Sequence, residues 1–183
     1  RCMMVAKKLG LEVLVVDNGV INADTEHAVE RWCAKFSEGS LRYLRFEKQL
    51  GYAGAVSEGT RAGKADLVVV MNNDNLPEPE CLQNLLTCFE NERKAGRRIA
   101  SVSANVLRPG VPVEQEGATN LWGRVVYFSK KLDPVKSFTV FHPDGSAFLF
   151  DKKLLGLPYN DEYFIYHEDV YLGWNLLGPH SLR

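Results

Sequence analysis

The chain has 183 residues, 45% of them apolar and 25% charged, and its 22 lysines and arginines against 23 aspartates and glutamates leave a formal net charge of -1. That balance belongs to an ordinary globular chain and excludes intrinsic disorder, collagen-like repeats and a polybasic nucleic-acid binder, so no nucleic-acid partner is expected. The longest apolar run, Leu67 to Met71, is far short of the roughly 20 residues a spanning helix needs, so no membrane span is expected.

A single core can bury roughly 70% of the unfolded surface at this length, and one domain over residues 1–183 is the expectation. The four cysteines, Cys2, Cys33, Cys81 and Cys88, form no C-x-x-C or Cys/His cluster. Free thiols in a reducing compartment follow, with no zinc or redox motif. The first eight residues carry Lys7 and Lys8 and no long apolar stretch, which is not a signal peptide. No initiator Met is present, so residues upstream of Arg1 are expected.

In chain order, Glu12 to Asp17 is a β-branched run ending in Asp-Asn-Gly, the pattern of a buried strand entering a turn. Asp24 is placed to cap a helix over Thr25 to Phe36. Leu41 to Phe46 reads as a strand, and Gly51-Tyr52-Ala53-Gly54 opens a helix reaching Ala62. Leu67 to Met71 is the next strand, followed by Asn72-Asn73-Asp74-Asn75. Pro77 and Pro79 suit a helix start, and Leu82, Leu85, Leu86 and Phe89 give it one apolar face. Gly96 stops that helix before a strand from Ile99 to Ala104. Strand and helix alternate throughout, which predicts a parallel sheet with helices on its faces. Pro109, Pro112, Gly117, Gly123 and Pro134 break any period between Arg108 and Phe141, so loop and a short hairpin or two are expected there. Ala147 to Phe150 reads as a further strand and Glu168 to Leu177 as a last helix.

In open parallel sheets ligands bind beyond the carboxyl ends of the strands, where Asp17-Asn18-Gly19 and Asn72-Asn73-Asp74-Asn75 fall. An Asx-turn explains either turn taken alone; together Asp17 and Asp74 would face one crevice. Carboxylate and amide oxygens suit a hard cation such as Mg²⁺ or Mn²⁺, which in turn binds phosphate oxygens. No P-loop is present, and Gly51 to Ala55 is not G-x-G-x-x-G, which disfavours the nucleotide folds built on those loops. A third acidic group, Asp161 to Asp169, interleaves acids with aromatic residues and opens the last helix with Glu168-Asp169. The positive end of that helix favours ionised carboxylates there, with or without a catalytic role.

The segments "EVLVVDNG", "LGYAGAVSEGTRAGKADLVVVMNNDNLPEPECLQNLL" and "PDGSAFLFDKKLLGLPYNDEYFIYHEDVYLGWNLL" resemble the family 2 inverting glycosyltransferases of GT-A fold, especially the rhamnosyltransferase-like branch. "NND" at Asn72 to Asp74 resembles that family's D-x-D motif with the first acid replaced by amide. "DEYFIYHEDVYLGW" resembles its "F-x-x-Y-x-E-D-x-D-L-x-W" segment, with Tyr171 where a further acid is usual. The resemblance implies a GT-A-like α/β fold, a mostly parallel sheet flanked by helices, with the usual first strand missing from the sequence. Residues 1–105 would form the nucleotide-binding half and 106–183 the acceptor and catalytic half.

By the same resemblance Asp169 is the catalytic base, with Glu168 beside it as the second catalytic candidate. Asp74 would bind a divalent metal, Mg²⁺ or Mn²⁺, that bridges the donor's diphosphate. Asp17, Asn18, Gly51, Tyr52, Asn72 and Asn73 would line the nucleotide sugar, and Asp144 and Gly145 would flank the acceptor side. The implied activity is inverting transfer of a sugar, of hexosyl or rhamnosyl type, from a nucleoside-diphosphate donor to a glycan or lipid-linked acceptor hydroxyl. Surface polysaccharide synthesis in the cytoplasm, at most peripheral to the inner face of a membrane, is the implied setting. A truncated or inactive nucleotide-sugar-binding module is the alternative; sugar-nucleotidyl transfer is disfavoured because no Gly-rich triphosphate loop is present.

Overall fold

β-Branched and aromatic side chains pack well on a pleated surface, and the valine-rich and aromatic runs of this chain form its strands. The computed structural model describes residues 2–19, 23–106, 115–119, 125–128 and 139–177. Its first half runs α1 (Cys2–Lys8), β1 (Val13–Asn18), α2 (Ala23–Cys33), β2 (Leu41–Phe46), α3 (Gly51–Ala62), β3 (Leu67–Met71) and α4 (Cys81–Lys94). Its second half runs β4 (Ser101–Ser103), β5 (Gln115–Thr119), β6 (Val125–Phe128), β7 (Ala147–Asp151), α5 (Lys152–Leu155) and α6 (Glu168–Leu177).

Strands β1 and β2 pair in parallel, from Val13 opposite Leu41 to Asn18 opposite Phe46. A second group has the order β3-β7-β4, and no described strand joins it to the first. β7 runs antiparallel to both β3 and β4, which therefore share one direction, so the mostly parallel order holds with β7 as its reversed strand. An antiparallel neighbour needs no crossover, so the chain leaves β4 and enters β7 at the same end of the sheet. The backbone bond from Ala104 N to Ala147 O (2.8 Å) marks that end. Asp144 to Ser146 thereby stand beside the carboxyl end of β3, where Asn72 N donates to Ser146 O at 2.9 Å.

All five residues of β7 are buried, and its side chains alternate between two layers. Phe148 and Phe150 pack with Ala53 of α3, Tyr159 and Leu172 of α6, flanked by Val68 and Val70. Leu149 packs on the other face with Leu85 and Phe89 of α4, flanked by Leu67 and Val69. Helices therefore cover both faces of this sheet, the α/β arrangement that the alternating pattern predicts. Lys152 closes α3 from below β7, its Nζ donating to Thr60 O (2.8 Å) and Gly63 O (2.9 Å), carbonyls left without helical partners.

Several boundaries differ from expectation. Helix α2 begins at Ala23, so Asp24 lies in the first turn rather than at the cap, where its charge still complements the helix dipole. It ends at Cys33, because the bonds Lys35 N to Trp32 O (2.8 Å) and Phe36 N to Cys33 O (3.1 Å) tighten the chain into a 3₁₀-like exit. Pro77 and Pro79 precede α4 instead of opening it, since the turn closed by Cys81 N and Glu78 O (3.0 Å) intervenes. Strand β4 spans three residues rather than the six expected, paired with β7. The hairpin expected between Arg108 and Phe141 is present as β5 and β6; the rest of that stretch up to residue 138 lies outside the described residues.

Candidate active site

The turn after β3 is locked to the turn before β7. Asn75 Nδ2 donates to Ser146 O at 2.7 Å, and Asp144 Oδ1 accepts from Ser146 N (2.8 Å) and Ser146 Oγ (2.6 Å). This leaves Asn73 and Asp74 exposed at the tip, with Asp144 and Gly145 alongside. The Tyr52 hydroxyl, from the first turn of α3, donates to the Gly145 carbonyl. A Cβ at Gly145 would lie 3.2 Å from Tyr159 Oη and 3.8 Å from Asp169 Oδ2, so a side chain here would narrow the gap between α6 and the turn.

The start of α3 is held from two sides. Asn18 Nδ2 donates to Gly51 O (2.9 Å) while its Oδ1 accepts from Leu50 N (2.8 Å), so one amide ties the end of β1 to this corner. Gly51 has φ +73°, and a Cβ there would collide with the Phe164 carbonyl, which accepts from Tyr52 N at 2.6 Å. Only glycine meets both conditions. From Phe164 the chain reaches α6 through Tyr166 (φ 70°) and His167 (φ 67°), two successive left-handed residues. Such conformations cost on the order of 1–3 kcal/mol each and persist where surrounding contacts enforce them. Asp17 sits one residue from Asn18, but its carboxylate accepts from the Tyr43 hydroxyl on β2.

The charges of four carboxylates from three segments reach Tyr52. Burial first, then the charges of Glu168, Asp144, Asp169 and Asp74, hold its phenol well above its ordinary range. Burial also raises the Tyr159 phenol, with Tyr52, Asp169, Glu168 and Asp144 adding to it. Glu168 and Asp169 share the first turn of α6 yet differ: Glu168 is 7% exposed, with Oε2 lacking a partner among the described residues, whereas the Asp169 side chain is 15% exposed. Burial raises the Glu168 carboxyl above its usual range, and the Asp169 charge adds to it. Two adjacent carboxyls in unequal environments are suited to unequal proton roles.

A raised folded-state value means that the folded chain binds the Glu168 proton more tightly than the unfolded chain. The stabilisation this gives is complete below the unfolded value near 4.3 and is lost as pH rises through the folded one. Glu168→Gln, which copies the protonated form, should therefore melt close to wild type at pH 4 and above it at pH 8. Equal melting temperatures at pH 8, measured in paired thermal scans, would show that Glu168 carries no such strain.

Of the residues singled out in the sequence, Tyr52, Asp74, Asp144, Gly145, Glu168 and Asp169 converge, and Asn18 and Gly51 brace them. Asn72 joins through its backbone, and Asn73 shares the exposed tip with Asp74. Asp17 is turned to Tyr43 on β2 instead. Two contributors lie outside the motifs, Tyr159 and His142, the latter 1% exposed and 3.7 Å from Asp169 Oδ2, and nothing periodic marks either. Asn75, of the amide-rich turn, joins by its bond to Ser146.

Among the described residues no group of three His, Cys, Asp or Glu side chains stands close enough to hold a metal ion. The donor set at Asp74, an exposed carboxylate beside the Asn73 amide, fits a magnesium-like ion held by one or two protein oxygens and completed by phosphate and water.

A model of the family described as glycosyl transferase family 2 matches residues 4–156, and the chain belongs to that family. A solved structure, the mannosyltransferase PcManGT from Pyrobaculum calidifontis in complex with GDP-Man and Mn²⁺, shares the fold with a TM-score of 0.60 at 19% identity. The alignment covers 92% of this chain and 45% of that one, so the chain spans less than half of that protein's length. No curated protein sequence matches the chain.

Proposed function

We propose that this chain transfers a sugar from a nucleoside-diphosphate donor to an acceptor hydroxyl with inversion at the anomeric carbon. The observation that carries the reading is the convergence of Asp74, Asp144, Glu168 and Asp169 around Tyr52 and Gly145, at the carboxyl end of β3, in a chain of glycosyl transferase family 2. Asp169 takes the proton from the acceptor hydroxyl as that oxygen bonds to the anomeric carbon and the bond to the diphosphate breaks. Oδ1 of Asp169 already accepts from Val170 N at 2.7 Å, which leaves Oδ2, the oxygen facing Gly145, to receive the proton. Asp74 would hold a divalent cation, which would supply charge neutralisation for the departing nucleoside diphosphate, and Asn73 beside it lines the nucleotide sugar. Asp144 and Gly145 flank the acceptor, Asn18, Gly51, Tyr52 and Asn72 shape the donor pocket, and Asp17 contacts the nucleoside base.

In this reading residues 1–105 serve the donor and 106–183 the acceptor, as two halves of one domain. The solved relative's GDP-Man and Mn²⁺ support a donor of this chemical class with Mg²⁺ or Mn²⁺. A hexosyl or rhamnosyl group, a glycan or lipid-linked acceptor and a role in polysaccharide synthesis at the cytoplasmic side of a membrane complete the proposal. No helix among the described residues is long and apolar enough to cross a membrane.

Titration of GDP, UDP and dTDP into the chain should give tight binding of at least one in Mn²⁺ and weak binding in excess EDTA. Asp74→Ala should lose the Mn²⁺-dependent part. Equal affinity in EDTA and Mn²⁺, or unchanged affinity in Asp74→Ala, removes the metal from Asp74. Nucleotide binding without turnover of GDP-mannose, UDP-glucose or dTDP-rhamnose would replace the enzyme by a nucleotide-sugar-binding module.

A further inference from the structure

His142 lies on the segment that enters β7, outside any helix or strand, yet its side chain is 1% exposed. Nδ1 stands 3.1 Å from the Pro143 carbonyl oxygen and 3.7 Å from Asp169 Oδ2. A carbonyl oxygen only accepts, so the first contact puts the proton on Nδ1. Nε2 has no partner among the described residues. Burying an imidazole nitrogen without a partner is costly, and a buried group of this kind calls for a reason.

The ring is held in place by its neighbours. Phe141 meets it edge-on at 6.0 Å and in turn meets Trp174 of α6 at 5.2 Å. Gly173 lets Phe141 approach α6, since a Cβ at that position would lie 2.6 Å from the Phe141 ring. The segment before β7 and helix α6 are thus keyed together with the imidazole beside the Asp169 carboxylate.

We propose that His142 is a positioning residue for Asp169, an inference that rests on the transferase reading above. With Oδ1 taken by Val170 N, rotation of the carboxylate is limited, and the Nδ1–H dipole attracts the remaining oxygen, Oδ2, from behind. At 3.7 Å this contact is too long to be a full hydrogen bond, so the Oδ2 lone pairs stay available for the acceptor's proton. Nδ1 already carries a hydrogen, so His142 takes no proton from Asp169; it fixes the direction in which Oδ2 is presented.

Two amide variants separate this role from simple packing. Asparagine places a donor where Nδ1 stands; glutamine places one where Nε2 stands and none at Nδ1. His142→Gln should lower kcat for Mn²⁺-dependent donor hydrolysis at least about tenfold, towards the roughly 10²-fold that misplacing a reacting group costs, with donor KM unchanged. His142→Asn should recover most of that loss, although it is the smaller side chain and fills the core less well. The donors are GDP-mannose, UDP-glucose and dTDP-rhamnose, with nucleoside diphosphate release as the signal.

Long-range proton–nitrogen spectra of the full chain test the pairing without turnover. They should show His142 protonated at Nδ1, with its ring signals moved by Asp169→Asn. An Nε2-protonated ring, ring signals indifferent to Asp169→Asn, a His142→Gln variant with wild-type kcat, or His142→Asn no better than His142→Gln would each overturn the proposal. A wild-type chain that hydrolyses none of the donors removes the transferase reading instead, and the spectra then decide alone whether His142 and Asp169 are paired.

Discussion

Asp169→Asn should lower the rate of sugar transfer by about 10²- to 10⁴-fold, the usual range for loss of a general base, while leaving nucleoside diphosphate binding near wild type. Asparagine keeps the volume of the side chain and the Oδ1 that accepts from Val170 N, and replaces the oxygen facing Gly145 by an amide without basicity. Because Asp74 lies on a different segment, its loss should have a different signature: Asp74→Ala should weaken nucleotide binding as well as turnover. Donor hydrolysis and titration on the same three proteins separate the two. Near-normal turnover in Asp169→Asn would move the base elsewhere, to Asp144 or Glu168, whose charges also reach Tyr52.

Leu85→Ala should cost about 2–5 kcal/mol of stability, the range for truncating a buried leucine. Leu85 is 4% exposed and packs with Phe89 and Leu149, so its loss opens a cavity between α4 and the central strand β7. For a chain of this size each kcal/mol lowers the melting temperature by about 2–4 °C. A denaturant melt that superimposes on wild type would mean that α4 is not packed on β7 through this face. Strand β7 carries Phe148 and Phe150 on its other face and positions Asp144 to Ser146 at its start, so part of this loss should reach the site.

The elements that rest on local pattern were legible in the chain. Leu67 to Met71 forms a strand because five apolar residues, three of them valine, suit a pleated, covered surface, and Leu82, Leu85 and Phe89 are buried as their helical spacing requires. The amide-rich turn after β3 and the two acids opening α6 were equally visible. The direction of β7 was not, because Ala-Phe-Leu-Phe is apolar on both faces and reads the same whichever way it runs.

Asp17 and Asn18 look alike in sequence, and the fold gives them different tasks. Successive strand residues point to opposite faces, so Asp17 meets Tyr43 while Asn18 reaches Leu50 and Gly51. Glu168 and Asp169 separate for the corresponding helical reason, about 100° of rotation per residue, which buries one carboxyl and leaves the other partly open.

By itself, then, the sequence determined which segments become strands and helices, that helices cover a sheet, and that acids gather at strand and helix ends, because these depend on residues within one turn or one strand of each other. Only the tertiary structure decided that β7 enters between β3 and β4 in reverse, that Gly145 is the meeting point of Tyr52, Tyr159 and Asp169, and that His142 stands behind the carboxylate. Those contacts join residues as far apart as 52 and 145, through a buried histidine and an unmarked tyrosine that follow no period, and a contact across such a separation is set by how whole layers pack rather than by any local preference.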